Sequence, residues 1–243
     1  MVRLSTQAME KQDGNLSLVK VPQLERLPWL CHGFGDARWD EHELHQLAAR
    51  LGIRPVLLNQ VHSDCVHFIE EAPKRRLRGD AAVTRLGGLL LVIRTADCLP
   101  VLLVEERRRI TAAVHCGWKG TSRRFLEKVI QGMRVRYGAS PEAILAALGP
   151  CIGEDCYEVG TDVRGAFAAA GLPSSLFRPS SGRSGKSLLD LRAANCFQLL
   201  GQGVKPDNIF SISVCTHCDP RYPSYRRDKD ACGRMLSIIG LSA

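Results

Sequence analysis

Short runs of apolar residues recur along the chain from about residue 50 onward, and Gly, Pro or charged residues separate them. Most of these runs are rich in Val, Ile and Leu and have the length of a β-strand, so the pattern predicts strands. The predicted strands cover residues 56–61, 65–69, 89–93, 99–104, 110–114, 144–148, 209–214 and 235–239.

A helical pattern follows the fifth predicted strand. Five apolar residues share one face at helical spacing: Phe125, Leu126, Val129, Ile130 and Met133. Thr121 and Ser122 can cap the start of this helix and Gly138 can end it, so we predict a helix over residues 121–137. Two further helices are predicted over residues 162–170 and 189–200.

The order of these elements predicts a single α/β domain with mixed β-sheets flanked by helices. We expect residues 1–25 to form an N-terminal arm and residues 26–243 to form the domain itself. The Ser-, Gly- and Arg-rich stretch over residues 179–186 is predicted to be a surface loop, because the periodic segments on its two sides are too few to form separate domains.

Composition narrows the class of protein. With 243 residues, of which 45% are hydrophobic, the chain can bury a substantial core. Residues 1–20 lack the apolar stretch of a signal peptide, and no apolar run is long enough to span a membrane. We therefore expect a cytoplasmic protein whose ten cysteines act as metal ligands or free thiols rather than as disulfides.

The formal net charge of +8 favours anionic partners. Basic residues cluster within residues 74–78, 107–109 and 226–229, and most clusters of this kind are solvated loops. Aromatic residues make up only 6% of the chain and form no nucleic-acid-binding signature. We therefore expect small anions rather than nucleic acid as partners.

Three polar segments interrupt the apolar strands: Asn-Gln-Val-His-Ser over residues 59–63, Thr-Ala-Asp-Cys-Leu-Pro over 95–100, and Val-His-Cys-Gly-Trp-Lys-Gly over 114–120. They contain His62, Cys98 and His115. Imidazole and thiolate are ligands that zinc prefers, and three protein ligands leave the fourth tetrahedral position open, as in catalytic zinc sites. The spacing alone matches no short metal motif, however, and favours two structural histidines and a small buried thiol.

Five more segments follow in order: Gly-Pro-Cys-Ile-Gly over residues 149–153, Cys-Tyr-Glu-Val-Gly over 156–160, Leu-Asp-Leu over 189–191, Cys-Thr over 215–216 and Ser-Tyr-Arg-Arg-Asp over 224–228. With the three polar segments, this series resembles the laccase-domain family, also called multicopper polyphenol oxidase-like proteins. The resemblance runs from about residue 27 to the C-terminus. It implies a laccase-domain fold, similar to that of cytotoxic necrotizing factor, and a metal site whose ligands carry over to His62, Cys98 and His115.

The resemblance also implies activities on purine nucleosides. These are phosphorolysis of adenosine, inosine and S-methyl-5′-thioadenosine to the free base and the (methylthio)ribose 1-phosphate, and deamination of adenosine. Zinc lowers the pKa of bound water to about 7, which suits deamination. Cys98 and His115 are then catalytic residues as well as ligands, and Asp97 and Glu158 are candidate proton relays or orienting groups.

Phosphorolysis requires cations around the phosphate, and the nucleoside requires hydrogen-bonding partners. Candidates for these contacts are Arg38, Asn59, Gln60, Arg94, Lys119, Arg226 and Arg227. The chain departs from the family pattern at Cys116 and Lys119, where Ala and Arg are usual. It is also shorter than the pattern after residues 32–34, where Arg38 is the counterpart of a basic residue.

Three other hypotheses stay open. Cys98 as nucleophile and His115 as base would make a cysteine hydrolase or amidase, an activity that some members of the resembled family are associated with through editing of peptidoglycan precursors. Copper in the same site would make a copper-dependent polyphenol oxidase, because copper(II) competes with zinc for such ligands. A metal-stabilised binding protein would use a second zinc site, for which the candidates are Cys151, Cys156, Cys215, His217 and Cys218.

Overall fold

The structure is a computed structural model that describes residues 9–13, 16–180 and 185–242. Its strands are β1 (Met9–Asp13), β2 (Leu16–Lys20), β3 (Leu30–Gly35), β4 (Arg54–Asn59), β5 (Val66–Ile69), β6 (Leu77–Arg78), β7 (Ala81–Thr84), β8 (Leu89–Thr95), β9 (Leu99–Glu105), β10 (Ile110–Cys116), β11 (Ile144–Leu148), β12 (Glu158–Val159), β13 (Phe177–Pro179), β14 (Ser187–Leu189), β15 (Ile209–Ser211) and β16 (Met235–Leu241). Its α-helices are α1 (Pro22–Glu25), α2 (Glu41–Leu51), α3 (Trp118–Ser122), α4 (Phe125–Tyr137), α5 (Thr161–Ala169), α6 (Leu191–Gly201) and α7 (Tyr225–Asp228).

Two large mixed sheets stack between helices. One sheet has the strand order β1-β2-β3-β16-β8-β4-β6, and the other has the order β15-β11-β9-β10-β7-β5. Leu102 in β9 packs with Leu91 of β8 in the core between the sheets. Its neighbour Leu103 faces the other way and packs with α4 and α6, while α2 covers the outer face of the first sheet. The predicted α/β fold with mixed sheets and flanking helices is therefore confirmed.

This layering explains why the central strands are apolar throughout rather than alternating. Every residue of β9 and β10 is buried, because one face of each strand meets the opposite sheet and the other meets helices. Most predicted strand positions are confirmed, with shifts of a few residues at their ends. The 144–148 strand is observed with the predicted bounds, whereas the strand predicted over 209–214 ends at Ser211.

The segment predicted as an N-terminal arm, residues 1–25, differs from that prediction in its described part. β1 and β2 form an antiparallel hairpin, and Val19 of β2 pairs with Phe34 of β3. The side chain of Leu24 in α1 is fully buried. Residues 18–24 pack against the domain, because the apolar side chains of Leu18, Val19, Val21 and Leu24 contribute to its core.

The helix predicted over residues 121–137 is wrong in its first turn. Arg124 adopts a left-handed backbone conformation with φ of 56°, which separates α3 from α4. Its guanidinium donates a hydrogen bond to the carbonyl of Ala170 at 2.9 Å, which helps to stabilise this conformation. Thr121 is buried inside α3 rather than capping a helix, whereas Gly138 ends α4 as predicted, with φ of 67°.

The other two predicted helices are confirmed as α5 and α6, within two residues of their predicted bounds. Of the surface loop predicted over 179–186, residues 181–184 lie outside the described residues. Within the part of the chain that the structure describes, no helix has the length and apolar character needed to cross a membrane.

Candidate metal centre and its cavity

The three predicted metal ligands come together at the ends of strands. Cys98 immediately precedes β9, and His115 lies near the end of β10, where it pairs with Pro100. His62 comes from the loop that follows β4 and has a positive φ of 57°. One ligand atom from each side chain lies within 4.8 Å of the other two. Residues separated by up to 53 positions in sequence thus form one cluster.

Asp80 holds this cluster in place, although the sequence analysis did not identify it. Its carboxylate is fully buried and accepts a hydrogen bond from Nδ1 of His115 at 2.8 Å. It also accepts bonds from the backbone N–H of His62 at 3.0 Å and from the N–H and hydroxyl of Ser63 at 2.7 and 2.6 Å. The His115 ring therefore presents Nε2 to the cluster, as a metal-binding histidine with a carboxylate partner does.

Cys98, His115 and Asp80 shift one another's pKa values. Burial would raise the pKa of the Cys98 thiol, but the charge of His115 and hydrogen bonds from both imidazoles lower it to about 6. Burial would lower the pKa of His115, but the Cys98 thiolate and Asp80 raise it to about 9. Burial would also raise the pKa of Asp80, but hydrogen bonds from His115 and Ser63 hold it well below its usual range. Cys98 is accordingly a thiolate at neutral pH, the form that metals bind.

The donor set and the space around it fit a metal ion. Two imidazoles and one thiolate match the ligand preference of zinc, with a fourth position left for water or substrate. Gly117 follows directly after β10, and a Cβ atom at this position would lie 3.0 Å from Cys98 Sγ and 3.4 Å from His62 Cδ2. Glycine therefore keeps the backbone close to the cluster without filling it. Cys116 is fully buried in the core, and burial raises the pKa of its thiol.

The cluster of His62, Cys98 and His115 lies in a cavity of about 520 Å³. The other walls of this cavity carry four cationic side chains: Arg94, Arg226, Lys229 and Arg234. They also carry three aromatic side chains: Trp118, Tyr157 and Tyr225. The cavity therefore combines metal ligands, positive charge and aromatic surface, and its volume is typical of small-molecule sites.

Asp97 connects the segments that form one wall of the cavity. Its backbone has a positive φ of 79°. One carboxylate oxygen accepts a hydrogen bond from the Thr216 hydroxyl at 2.7 Å, and the other accepts one from the Arg226 backbone N–H at 2.6 Å. The predicted proton relay therefore has both oxygens engaged within the protein. Glu158, the second candidate relay, does not line the cavity and accepts a hydrogen bond from Ser180.

The predicted substrate-binding residues are divided between the cavity and other parts of the protein. Gln60 lines the cavity, but its amide exchanges two hydrogen bonds of 2.8 Å with the backbone of Arg94. Arg226 also lines it and donates one hydrogen bond to the Glu158 carbonyl. Asn59, Arg38 and Lys119 are not among its lining residues.

Two of the predicted arginines have structural partners instead. Arg38 pairs with the buried carboxylate of Asp36. Arg227 donates hydrogen bonds to the carbonyls of Thr216 and Tyr222, at 2.8 and 2.9 Å, and pairs with Asp228. Its guanidinium is therefore committed to folding the segment around α7, which speaks against the prediction that Arg227 binds phosphate.

Several site residues were missed for identifiable reasons. Asp80 is a single acidic residue directly before the fully buried strand β7. An acid at such a position could have indicated a buried carboxylate with a specific partner. Arg234 precedes the apolar strand β16 in a segment with no recognisable motif. Tyr157 and Tyr225 stand within segments that were noted for their other residues, and nothing in the sequence placed their rings in a common cavity.

A known protein family matches the chain from the end of β3 almost to its C-terminus. Residues 35–242 match the family model described as multi-copper polyphenol oxidoreductase laccase. The chain belongs to this laccase family. The match includes His62, Cys98, His115, Asp80 and the cavity walls, whereas β1 and β2 lie before it.

Curated members related to this laccase-family chain carry names for nucleoside chemistry. A Deinococcus radiodurans protein named purine nucleoside phosphorylase is 42% identical over 199 residues, which cover 81% of this chain and 75% of that protein. A protein named adenosine deaminase RL5, from an unknown prokaryotic organism, is 38% identical over 185 residues, which cover 71% of this chain and 70% of that protein.

The fold of this laccase-family chain is also found in solved structures. The crystal structure of the Bacillus licheniformis hypothetical protein YfiH matches with a TM-score of 0.85 and 25% sequence identity. The match covers 96% of this chain and 98% of the other. The arrangement of sheets and helices is therefore shared over almost the whole length.

Proposed function

We propose that this protein is a metal-dependent purine nucleoside enzyme. Its activities are phosphorolysis of adenosine, inosine and S-methyl-5′-thioadenosine, and deamination of adenosine. The observation that carries the proposal is the cavity itself, in which a His-Cys-His cluster faces cationic and aromatic side chains. The names of the curated relatives support the same chemistry.

The metal in this proposal is zinc, held by His62, Cys98 and His115. This donor set leaves one coordination position open, and zinc bound there supplies a Lewis acid next to the substrate. Asp80 keeps the His115 ring oriented through the 2.8 Å bond to Nδ1. Cys98 and His115 are therefore catalytic through the metal, and Asp80 is a positioning residue.

Phosphate binding is assigned to the cations of the cavity. Arg94 is half-buried, and burial and the nearby charges of other arginines lower its pKa, with Glu41 offsetting part of the effect at 3.7 Å. Arg226 donates to the Glu158 carbonyl with one nitrogen, which fixes the guanidinium in the wall. Planar guanidinium groups held in this way suit oxyanions because they can donate two parallel hydrogen bonds.

The aromatic residues of the cavity are assigned to the purine. Trp118, Tyr157 and Tyr225 present flat apolar surface, and a purine base stacks favourably on such rings. Arg226 lies 5.5 Å from the centre of the Tyr157 ring, which places a cation beside this surface. The metal cluster and the aromatic rings can then hold the two ends of one nucleoside.

Incubation of the pure, metal-loaded protein with adenosine, with and without phosphate, tests this function. We expect adenine only when phosphate is present, inosine in both conditions, and hypoxanthine when inosine is itself phosphorolysed. The matched control is the double variant His62→Ala/Cys98→Ser, in which all three products should disappear. Absence of product from fully loaded wild-type protein refutes the proposal.

A cysteine hydrolase or amidase is the second candidate, because the site has the order of a catalytic triad. Cys98 contacts His115, and His115 donates to the buried Asp80, which is the nucleophile, base and orienting acid of such enzymes. Alkylation separates the two functions. If Cys98 is a metal ligand, iodoacetamide should label it only after chelation, whereas a free nucleophile is labelled in the protein as purified.

A polyphenol oxidase that uses several coppers has less support from the ligands available. Among the described residues, two groups of three or more ligands are close enough to bind a metal, and one of these consists of cysteines alone. Several coppers require many more histidines than this arrangement provides. Copper(II) also competes with zinc for this donor set, so oxidase activity after loading with copper would not identify the native metal.

A further inference from the structure

A second cluster of thiols lies beside the cavity, on two loops of its wall. Cys156 ends a turn after β11, and Cys215 and Cys218 form a C-x-x-C turn after β15. The three sulfur atoms all lie within 4.8 Å of one another. Cys156 Sγ and Cys218 Sγ are 3.3 Å apart. None of these residues lines the cavity or belongs to the laccase-type ligand set.

We propose that Cys156, Cys215 and Cys218 form a second zinc site, in which three thiolates hold the ion and solvent takes the fourth position. A tetrahedral zinc ion with Zn–S bonds of about 2.3 Å holds its sulfur ligands about 3.8 Å apart. The observed sulfur positions require only small shifts to reach this geometry. A disulfide requires a sulfur separation of about 2.05 Å, so the 3.3 Å contact is a pair of free thiols.

The local backbone turns the three thiols toward one point. Cys156 N–H donates to the Gly153 carbonyl at 3.0 Å, and Cys218 N–H donates to the Cys215 carbonyl at 3.2 Å. The Gly153 N–H also donates directly to Cys215 Sγ at 3.1 Å. A backbone donor of this kind stabilises a metal-bound thiolate. Both turns thus bring the three sulfur atoms together.

The observed cluster is narrower than the five-residue set considered from sequence. Cys151 is fully buried, and its sulfur accepts a hydrogen bond from Arg192. His217 lies between the two cysteines of the C-x-x-C turn but is not part of the described ligand group. Because Cys218 is exposed, solvent reaches the fourth coordination position.

The two loops joined by this site also carry residues of the catalytic cavity. Tyr157 follows Cys156 and lines the cavity. Thr216 follows Cys215 and donates to Asp97 at 2.7 Å. Zinc in the thiol cluster therefore cross-links two parts of the cavity wall. It stabilises the folded loops without taking part in chemistry, and its loss should raise KM more than it lowers kcat.

The metal content of the whole protein, purified under reducing conditions with zinc present, tests the site. Native mass spectrometry should find two zinc ions per chain in the wild type and one in Cys218→Ser or Cys156→Ser. The double variant His62→Ala/Cys98→Ser should also retain one. Cys31→Ser is the matched control, because Cys31 lies in β3 outside both ligand groups, and it should retain two.

Cobalt substitution identifies the ligands independently of the count. In the His62→Ala/Cys98→Ser background, bound cobalt should show thiolate charge-transfer absorption, and the further change Cys218→Ser should abolish it. A single zinc per wild-type chain that Cys218→Ser retains and His62→Ala/Cys98→Ser loses overturns the proposal, and so does a Cys156–Cys218 disulfide in reduced preparations. If a cysteine variant fails to fold, the zinc content of His62→Ala/Cys98→Ser decides the question: one ion supports the thiol site and none overturns it.

Discussion

At the scale of single residues, the His62–Cys98–His115 cluster depends on the buried carboxylate of Asp80. Asp80 accepts hydrogen bonds from His115, from Ser63 and from the backbone of the loop that carries His62. It therefore fixes two of the three side chains of the cluster at once. A buried carboxylate with several donors is costly to disturb, because each donor loses its partner.

Replacing Asp80 with Asn should weaken zinc binding by roughly 10- to 100-fold, the range seen when partners of metal-bound histidines are removed. The amide would also present an N–H group to donors that need an acceptor. Competition with a chromophoric chelator measures the affinity. Asp64→Asn is the control, because Asp64 pairs with Lys128 at the surface. Equal affinities for the two variants would show that Asp80 does not position the ligands.

The sequence predicted the three side chains that the structure brings together, but not the residues that support them. His62, Cys98 and His115 are recognisable because they interrupt apolar strands and belong to a resembled motif series. Asp80 has no such motif, and its contacts depend on how β7 lies beside β10. For Arg227 the motif was misleading. This residue stands in a recognisable segment, but its guanidinium donates to backbone carbonyls rather than lining the cavity.

At the scale of elements, the short helix α7 presents two adjacent arginines with different roles. Arg226 lines the cavity, whereas Arg227 is held by carbonyls and by Asp228. Consecutive residues of an α-helix are rotated by about 100° around the helix axis, so neighbouring side chains face different surroundings. The pair therefore offers a matched comparison between substrate contact and folding.

Arg226→Gln should raise the KM for phosphate by about 10-fold or more, because one charge-assisted contact contributes about 1.5–3 kcal/mol. Its adenosine deaminase activity should change much less. Arg227→Gln should instead lower the free energy of unfolding by about 2 kcal/mol. Steady-state kinetics and urea unfolding of both variants check this. The assignment is contradicted if Arg227→Gln changes the phosphate KM more than Arg226→Gln does.

Element boundaries were predictable where local signals dominate. Gly138 ends α4 through its positive φ, and the apolar runs of β9 and β10 are long and continuous. The interruption at Arg124 was not predictable, because a contact to Ala170, 46 residues away, supports it. The position of the N-terminal hairpin was not predictable for a similar reason. The hairpin extends the sheet beside β3, and β3 in turn pairs with β16 from the other end of the chain.

At the scale of the whole molecule, stability should depend on the protonation of a buried histidine outside the site. His32 in β3 is 3% exposed and accepts a hydrogen bond from the Val21 N–H at 3.1 Å. Burial and the charge of Lys20 lower its pKa to about 4. In the unfolded chain the pKa of a histidine is about 6.5. Between pH values of about 4 and 6.5, the unfolded chain therefore binds more protons than the folded one.

The free energy of unfolding should fall as the pH is lowered from about 6.5 to about 4, by up to about 3 kcal/mol from this residue. His32→Gln removes this contribution, so its unfolding free energy should decline less over the same interval. His45→Gln, on the exposed face of α2, should behave like the wild type. Urea unfolding at a series of pH values makes the comparison. Parallel curves for His32→Gln and the wild type would contradict the assignment.

The layered architecture explains how distant segments form one site. The six-stranded sheet is covered on both faces, so polar chemistry is confined to the ends of its strands and to the loops beyond them. The family resemblance predicted this fold class, and the structural match with YfiH extends over nearly all of both chains. The composition of the cavity walls could not be predicted, because its cations and rings come from five separate segments.

The most direct test of the central claim is a titration of activity with zinc. Cys218→Ser protein, stripped of metal, is titrated with zinc while adenine formation from adenosine and phosphate is measured. With the thiol cluster disabled, activity should rise linearly from near zero and level off at one zinc per chain. Full activity in the metal-free protein, or no adenine at any zinc content, would contradict a catalytic metal held by His62, Cys98 and His115.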